Sequence, residues 1–233
     1  MVRKHKKAKR KVRVVQANLG DSSDERVYAD IDSFKADGAQ LMGFEEHADR
    51  DKLTDKWIKN NPGWGKWAGD GRLGGKKTCI LYLESLGPVT AEKSITVSNI
   101  RRVPKGAGPE KVVPKVVNRI RMRVQKRRLH FIVSHQYATI HNRLTAAKTF
   151  MRGLVGVVKP RIGTVIVVSD TNEKPGGMVV RSLERLFKSR SNVGGTHGPR
   201  EIDRILVKGG KIVKSWKKDT SSDHDAVFAD VEF

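Results

Sequence analysis

Ile162-Gly-Thr-Val-Ile-Val-Val-Ser-Asp-Thr-Asn-Glu-Lys-Pro175 is the stretch whose reading decides the fold. Val165 to Val168 is a short, continuous β-branched run. A strand buried on both faces has this pattern, and a buried helix segment shares its periodicity. Behind the run the chain turns polar, with Asp170 and Asn172 two residues apart ahead of the turn formers Pro175, Gly176 and Gly177. In a strand, residues two apart point to one side, so a carboxylate and a carboxamide would stand together just past the strand's carboxyl end. That pairing suits a site for phosphate and a metal ion. An ordinary Asx-rich turn reads the same way, so the rest of the chain has to decide.

Upstream, Val116 to Val124 alternates, with Ile120, Met122 and Val124 on one face and Arg119, Arg121 and Arg123 on the other. This predicts an edge or half-exposed antiparallel strand bearing a basic stripe. Its hairpin partner, Leu129 to Ser134, delivers His135 at its end, and a helix then carries Leu144, Ala147, Met151, Leu154, Val155 and Val158 on one face. Downstream, Val179, Leu183, Leu186 and Phe187 mark a second amphipathic helix. Glu201 to Val207 reads as a strand, which Gly209-Gly210 joins to Lys211–Trp216 as a hairpin. Ser221-Ser-Asp223-His224 precedes a final strand in which Val227, Ala229, Val231 and Phe233 alternate with Phe228, Asp230 and Glu232.

The N-terminal half repeats the theme of apolar strands with polar ends. Val12 to Ala17 ends at Asn18 and Gly20, and Gln40 to Phe44 runs into Glu45, Glu46 and His47. Between them Ser22-Ser-Asp-Glu25 is a capping box for a helix carrying Val27, Ile31 and Phe34, with Gly38 as its stop. Trp57, Trp64 and Trp67 lie among lysines; they either pack a loop onto the core or stack on unpaired bases. Thr78 to Leu83 is a further strand, and residues 97–115, rich in Pro and Gly, read as a long surface loop. Strands outnumber helices and pair mostly antiparallel, which predicts an α/β (α+β) architecture of two packed sheets with helices outside.

Composition narrows the partners. The 233 residues carry 47 Lys and Arg against 25 Asp and Glu, a net charge of +22, which favours a polyanion: nucleic acid first, an anionic membrane surface second. A chain of this length buries roughly 70–75% of its unfolded surface and can be one domain. We assign residues 1–11 to a disordered basic arm whose Lys7 and Arg10 contact phosphates, and 12–233 to one domain. A nuclear-import signal would have the same composition. No apolar run is long enough to span a bilayer and the N-terminus lacks an apolar secretion core. The single cysteine, Cys79, fits a reducing compartment, so the expected location is inside a cell, in the cytoplasm.

Taken as a set, Val15-Gln-Ala-Asn18, Gly43-Phe-Glu-Glu46, Val133-Ser-His135, Ser169-Asp-Thr-Asn172, Arg200-Glu-Ile-Asp203 and Ser222-Asp-His224 resemble, in that order, the endonuclease/exonuclease/phosphatase superfamily, the deoxyribonuclease-I-like fold. The resemblance spans nearly everything from Val12 to Phe233. It implies a four-layer sandwich that hydrolyses phosphate esters with a divalent metal, normally magnesium, with manganese as the alternative. Carried over residue by residue, Glu46 would hold the metal, helped by Asn18 and Asp223. Such hard cations prefer oxygen donors. His224, braced by Asp203, would contact the scissile phosphate; Asp170 would orient or deprotonate the attacking water; Asn172 would bond a phosphate oxygen. His135 matches a second histidine found in the deoxyribonuclease and sphingomyelinase branches. This chain departs from the pattern at Glu45, where glutamine is common, at Ser169, where glycine is common, and at Thr171, where an aromatic is common. None of these removes a ligand or catalytic group.

The superfamily includes phosphatases and phospholipases, so the fold alone does not choose the substrate. The charge does the choosing here, with Arg119, Arg121, Arg123 and the arm expected to bind nucleic acid, DNA in preference. The expected function is therefore a metal-dependent nuclease, an endonuclease by preference, needing no membrane and no protein partner. The competing readings are a phosphatase or phospholipase of the same fold, and a basic nucleic-acid-binding protein without turnover.

Overall fold

A computed structural model of the chain describes residues 11–47, 50–69, 77–102, 111–136 and 143–233. Residues 1–10, and with them Lys7 and Arg10 of the expected arm, lie outside it, as do 103–110 of the expected loop. Among the described residues no helix is long and apolar enough to cross a membrane.

The strands form two six-stranded sheets. The first contains β1 (Lys11–Asn18), β2 (Leu41–Glu45), β3 (Trp64–Trp67), β4 (Thr78–Leu83), β11 (Lys211–Lys218) and β12 (Ala226–Glu232), ordered β11-β12-β1-β2-β4-β3. The second contains β5 (Val89–Arg102), β6 (Lys111–Val124), β7 (Arg127–His135), β8 (Thr164–Asp170), β9 (Ser189–Arg190) and β10 (Asp203–Lys208), ordered β5-β6-β7-β8-β10-β9. Four α-helices, α1 (Asp24–Ala36), α2 (Asp51–Asn60), α3 (Arg143–Val158) and α4 (Met178–Leu186), and a 3-10 helix at Glu84–Leu86 complete the described elements.

Alternation along the strands dictates the layers. Val12 and Val14 of β1 face Phe131, Val133, Ile166 and Val168 of the second sheet in an inter-sheet core. Val15 and Ala17 face the other way, under Val27, Ile31 and Phe34 of α1 and Trp57 of α2. On the far side Ile132, Val165 and Val167 lie under Phe150 and Leu154 of α3 and Leu183 of α4. The result is a four-layer α/β sandwich with mostly antiparallel pairing, as expected. Every residue of β8 is buried because both faces are covered, which explains its unbroken apolar run.

Several local expectations give way to tertiary context. Residues 97–102 and 111–115 belong to β5 and β6, which pair antiparallel over 14 residues each rather than forming a loop. That pairing encloses β6 between β5 and β7, so it is not an edge strand. Gly209-Gly210 does turn the chain, but β10 and β11 enter different sheets instead of pairing as a hairpin. Both edges of β10 are already taken, by β8 and β9, whereas β12 offers a free edge to β11. At α1 the cap is Ser23, whose hydroxyl accepts Arg26 N–H, one residue beyond the capping-box serine. The tryptophan segment packs inward: Trp57 and Trp64 are buried edge to face, and Trp57 Nε1 donates to Asp32.

Topology collects the polar strand ends at one end of the sandwich. β1 and β2 run parallel, so Asn18 and Glu45 finish side by side; β7 and β8 run parallel, so His135 and Asp170 do the same. β10 is antiparallel to β8 and therefore starts there, with Asp203 opposite Asp170. β12 is antiparallel to β1, which places Asp223 and His224, just before it, at the same end. Gly43 lets the sheets close on one another, since a Cβ there would overlap Val168 and Val133.

Candidate active site

Five residues form a continuous polar set across the two sheets. Asn18 Nδ2 donates to Asp170 Oδ2 (3.2 Å), and the backbone N–H of Asn172 donates to Asp170 Oδ1 (2.8 Å). The Asn172 amide lies 3.3 Å from His135 Nε2, which is itself 3.5 Å from Asp170 Oδ2 and 3.8 Å from Glu46 Oε1. A second set centres on Asp203, whose Oδ2 meets His224 Nδ1 at 2.7 Å and accepts Thr196 Oγ1 at 2.7 Å. Gln16 ties the sheets together: its Nε2 donates to Asp203 Oδ1 (2.8 Å) and Glu45 Oε2 (3.0 Å).

Burial and crowding of carboxylates set the protonation states. Burial, then the neighbouring Asp203, pushes Asp170 up to about 7, into the range of a base poised near neutrality. Glu45 is raised well above the usual carboxylate range by burial and by Asp203, against the pull of Gln16. Burial disfavours the charged form of His224, but the bond and charge of Asp203, with Asp170 and Asp223 behind it, outweigh burial and raise its pKa. His135 is held well below the ordinary histidine value by burial and by nearby cations, Lys115 first. Asp203 thus makes His224 the more basic of the two imidazoles and burial makes His135 the less basic, so they can play different parts.

Glu46 and Asn172 both have left-handed backbones, with φ of 51° and 47°. Such conformations cost on the order of 1 kcal/mol or more in a non-glycine residue and cluster at working sites. Gly20 makes room for the first of them: a Cβ there would lie 2.5 Å from Glu46 Oε2 and 3.3 Å from Asn18 Oδ1. Glu46 Oε2 and Asn18 Oδ1 thus both lie beside Gly20, whose N–H donates to Asn18 Oδ1 at 2.9 Å. Asp223 does not join them through any direct contact among the described residues. Its Oδ2 is bonded to His197 Nε2 at 2.9 Å, and its Oδ1 is 3.9 Å from His224 Nε2. Among the described residues two groups hold ligand atoms close enough for one ion: Asp170, Asp203 and His224, and His197, Asp223 and His224.

His197, Thr196 and Gln16 belong to this end although they were not among the residues expected there. The His197 ring lies 4.5 Å from that of His224 and touches Arg200, which adds a cation to the rim. Of the expected nucleic-acid residues, Arg119, Arg121 and Arg123 do not reach this end; they lie on the outer face of the second sheet, with Arg123 opposite Arg128 at the far end of β7.

No family model matches the chain, and no curated protein matches it in sequence. Solved structures do. An endonuclease/exonuclease/phosphatase family protein from Bacteroides thetaiotaomicron superposes with a TM-score of 0.72 at 16% identity, over 97% of this chain and 96% of the other. TDP2 of D. rerio, solved with a single-strand DNA product, gives 0.72 at 13% identity over 95% and 98%. A mannosyl-6-phosphatase from Bacteroides thetaiotaomicron gives 0.68 at 15% identity over 95% and 100%. The chain has the endonuclease/exonuclease/phosphatase fold, and it has it over nearly its whole length.

Proposed function

We propose that this chain is a metal-dependent phosphodiesterase acting on nucleic acid, an endonuclease on DNA in its most specific form. The observation that carries the reading is the pairing of unlike groups at one strand end. Asp170, poised near neutrality, stands beside His224, whose pKa the bond and charge of Asp203 raise. Hydrolysis of a phosphodiester needs an aligned water, a base for its proton, and positive charge against the equatorial oxygens.

The residues divide this work. Asp170 Oδ2, fixed by Asn18 and reached by His135, accepts a proton from water. His224 Nε2, on the side of the ring away from Asp203, donates to a phosphate oxygen. Asn172 and His135 supply further hydrogen bonds to the phosphate. Glu46 and Asn18, beside Gly20, would hold a magnesium ion, with Asp223 as the further ligand that the resemblance implies; their hard oxygen donors fit such an ion. When bound, the ion supplies Lewis-acid charge to the leaving side. The preference for nucleic acid rests on the net charge of +22, and a neighbour of the same fold has been solved with a DNA product.

Incubation with supercoiled plasmid, single-stranded DNA and RNA, with and without magnesium, tests the reading. Cleavage should require the metal, and Glu46→Ala and His224→Ala should each lower it by at least about 10²-fold. Full activity in excess chelator, or near-normal cleavage by His224→Ala, overturns the mechanism. Hydrolysis of phosphomonoesters alone would replace nuclease by phosphatase.

A further inference from the structure

The outer face of the second sheet holds cations that the catalytic end does not use. Arg119 on β6 is 7% exposed, and neither its Nε nor its Nη1 has a hydrogen-bond partner. His130 on β7, 3% exposed, leaves both ring nitrogens unbonded. Strand register makes them diagonal neighbours on one face: Arg119 is opposite Ile132, and His130 is opposite Arg121. Arg161, just beyond α3, and Arg128 crowd the same spot, and the charges that act on His130 are all arginines. Among the described residues no carboxylate pairs with Arg119, Arg121, Arg128 or Arg161.

A guanidinium removed from water with its donors idle is unfavourable unless an anion completes it. Elsewhere a buried charge has a counter-ion: Arg204 is paired with Glu201, although its Nε is also unbonded, and Asp230 is paired with Lys11 and Arg13. Arg128, which acts on His130, also lines an open cleft of about 690 Å³ with Arg123, Lys126, Arg127, Gly163 and Thr164. Several guanidinium forks with no acid among them match a tetrahedral dianion better than a single carboxylate, which one arginine would satisfy.

We propose that Arg119 and His130 anchor a second phosphate-binding site, with Arg121, Arg128 and Arg161 around it, on the outer face of the second sheet. The site lies on the outer face of the sheet rather than at its catalytic end: His130 is five residues from His135 along β7, and Arg119 is opposite Ile132, three residues from it, roughly 17 and 10 Å at about 3.3 Å per residue. The proposal stands whether or not the catalytic end cleaves nucleic acid. Its ligand is a phosphate group, free or esterified, that supplies the anion this face lacks. Arg119 and His130 give direction to the site because they are held by packing, while the exposed arginines supply charge.

The test uses the full chain carrying His224→Ala, so that the catalytic end contributes least. Inorganic phosphate is titrated while the His130 imidazole is followed by NMR and unfolding by circular dichroism. Binding should saturate, raise the melting temperature, and move the His130 titration upward from its starting value of about 4. Arg119→Met should abolish the phosphate-dependent stabilisation while melting no lower than its parent in phosphate-free buffer. Arg121→Gln, at the exposed rim, should weaken phosphate several-fold without touching the core. A labelled DNA duplex separates the sources. A loss of DNA affinity with a shallower salt slope in these variants identifies backbone phosphate; unchanged DNA binding identifies free phosphate or a small ester. The proposal fails if Arg121→Gln retains the parent's phosphate response, or if phosphate shifts resonances only at the catalytic end.

Discussion

Asp203→Asn separates the shape of one buried side chain from its charge. Asp203 is fully buried and accepts three donors: His224 Nδ1 and Thr196 Oγ1 on Oδ2, each at 2.7 Å, and Gln16 Nε2 on Oδ1 at 2.8 Å. The amide is nearly isosteric, and its oxygen will stay toward His224 and Thr196, leaving Nδ2 against the Gln16 amide. For His224 a charge-assisted bond becomes a neutral one. Bonds to charged groups contribute about 1.5–3 kcal/mol against about 1 kcal/mol for neutral ones, so the imidazolium loses on the order of 2 kcal/mol. That corresponds to a roughly 30-fold fall in turnover if His224 acts as a cation on the phosphate. The pKa moves with it: once Asp203 is neutral, burial is the largest remaining influence on His224 and acts downward. The alkaline limb of the pH–rate profile should therefore shift to lower pH. Stability should change little, because the lost Gln16 bond is offset by relief of Glu45 and Asp170, both of which Asp203 now pushes upward. Single-turnover cleavage of a fluorescent oligonucleotide across pH, with melting curves on the same samples, reads both effects. Turnover within about threefold of the parent and an unmoved alkaline limb would refute the claim that Asp203 holds His224 charged.

Gly20→Ala should leave the fold intact and lower metal-dependent cleavage by about tenfold or more, because its Cβ would lie 2.5 Å from Glu46 Oε2; magnesium dependence of the rate and a melting curve distinguish this from unfolding. His130, held near 4 by burial and surrounding arginines, predicts an acid weakness in phosphate-free buffer. Below about pH 6.5 the unfolded chain takes up a proton that the folded chain refuses, so stability falls on acidification toward pH 4 by up to about 3 kcal/mol. His130→Phe should flatten that dependence, and denaturant midpoints from about pH 7 to 4.5 that differ by a constant would refute it. Deleting residues 1–10 should make the log–log salt dependence of DNA affinity shallower by about 0.9 for each phosphate the arm neutralises, while cleavage of a short oligonucleotide persists.

The strand ends were legible because burial and chemistry leave opposite marks on neighbouring residues. Val165 to Val168 must be apolar to sit between two packed layers, and Asp170 breaks the run where the sheet ends. What the sequence hid depends on the meeting of distant segments. Gly209-Gly210 has the chemistry of a hairpin turn, yet the choice between hairpin and sheet-to-sheet crossing rests on which strand edges are free. β5 was hidden because Thr96, Ser98 and Asn99 interrupt its apolar alternation, and its ladder is held by β6 instead. His197 sits in a Gly- and Pro-rich stretch with no periodicity, and only the fold lays it against His224. Gln16 did leave a signal, as an amide inside an apolar strand, and it proves to be a polar tie between the sheets.

That tie bears on why the site is built as it is. Glu45, Asp170 and Asp203 are three carboxylates taken out of water at one end of a tightly packed sandwich. Burial, and then the charge of Asp203, disfavours ionisation of Glu45 and of Asp170, so an apolar core at the same place would be more stable. Gln16 can satisfy two of them with a single amide only because Gly43 brings the sheets close enough. Asp203 accepts from His224, Thr196 and Gln16; Glu45, with the Gln16 amide and the Asp170 N–H as its donors among the described residues, is driven toward its neutral form. A neutral Glu45 presents the same size and a similar hydrogen-bonding edge as the glutamine common at this position in the resembling family, so the departure alters charge rather than geometry. Asp170 is left between these extremes, close to half-ionised at neutral pH. A carboxylate in that condition can both take a proton from water and give it up again within one cycle, which neither an exposed aspartate nor a fully neutralised one does well.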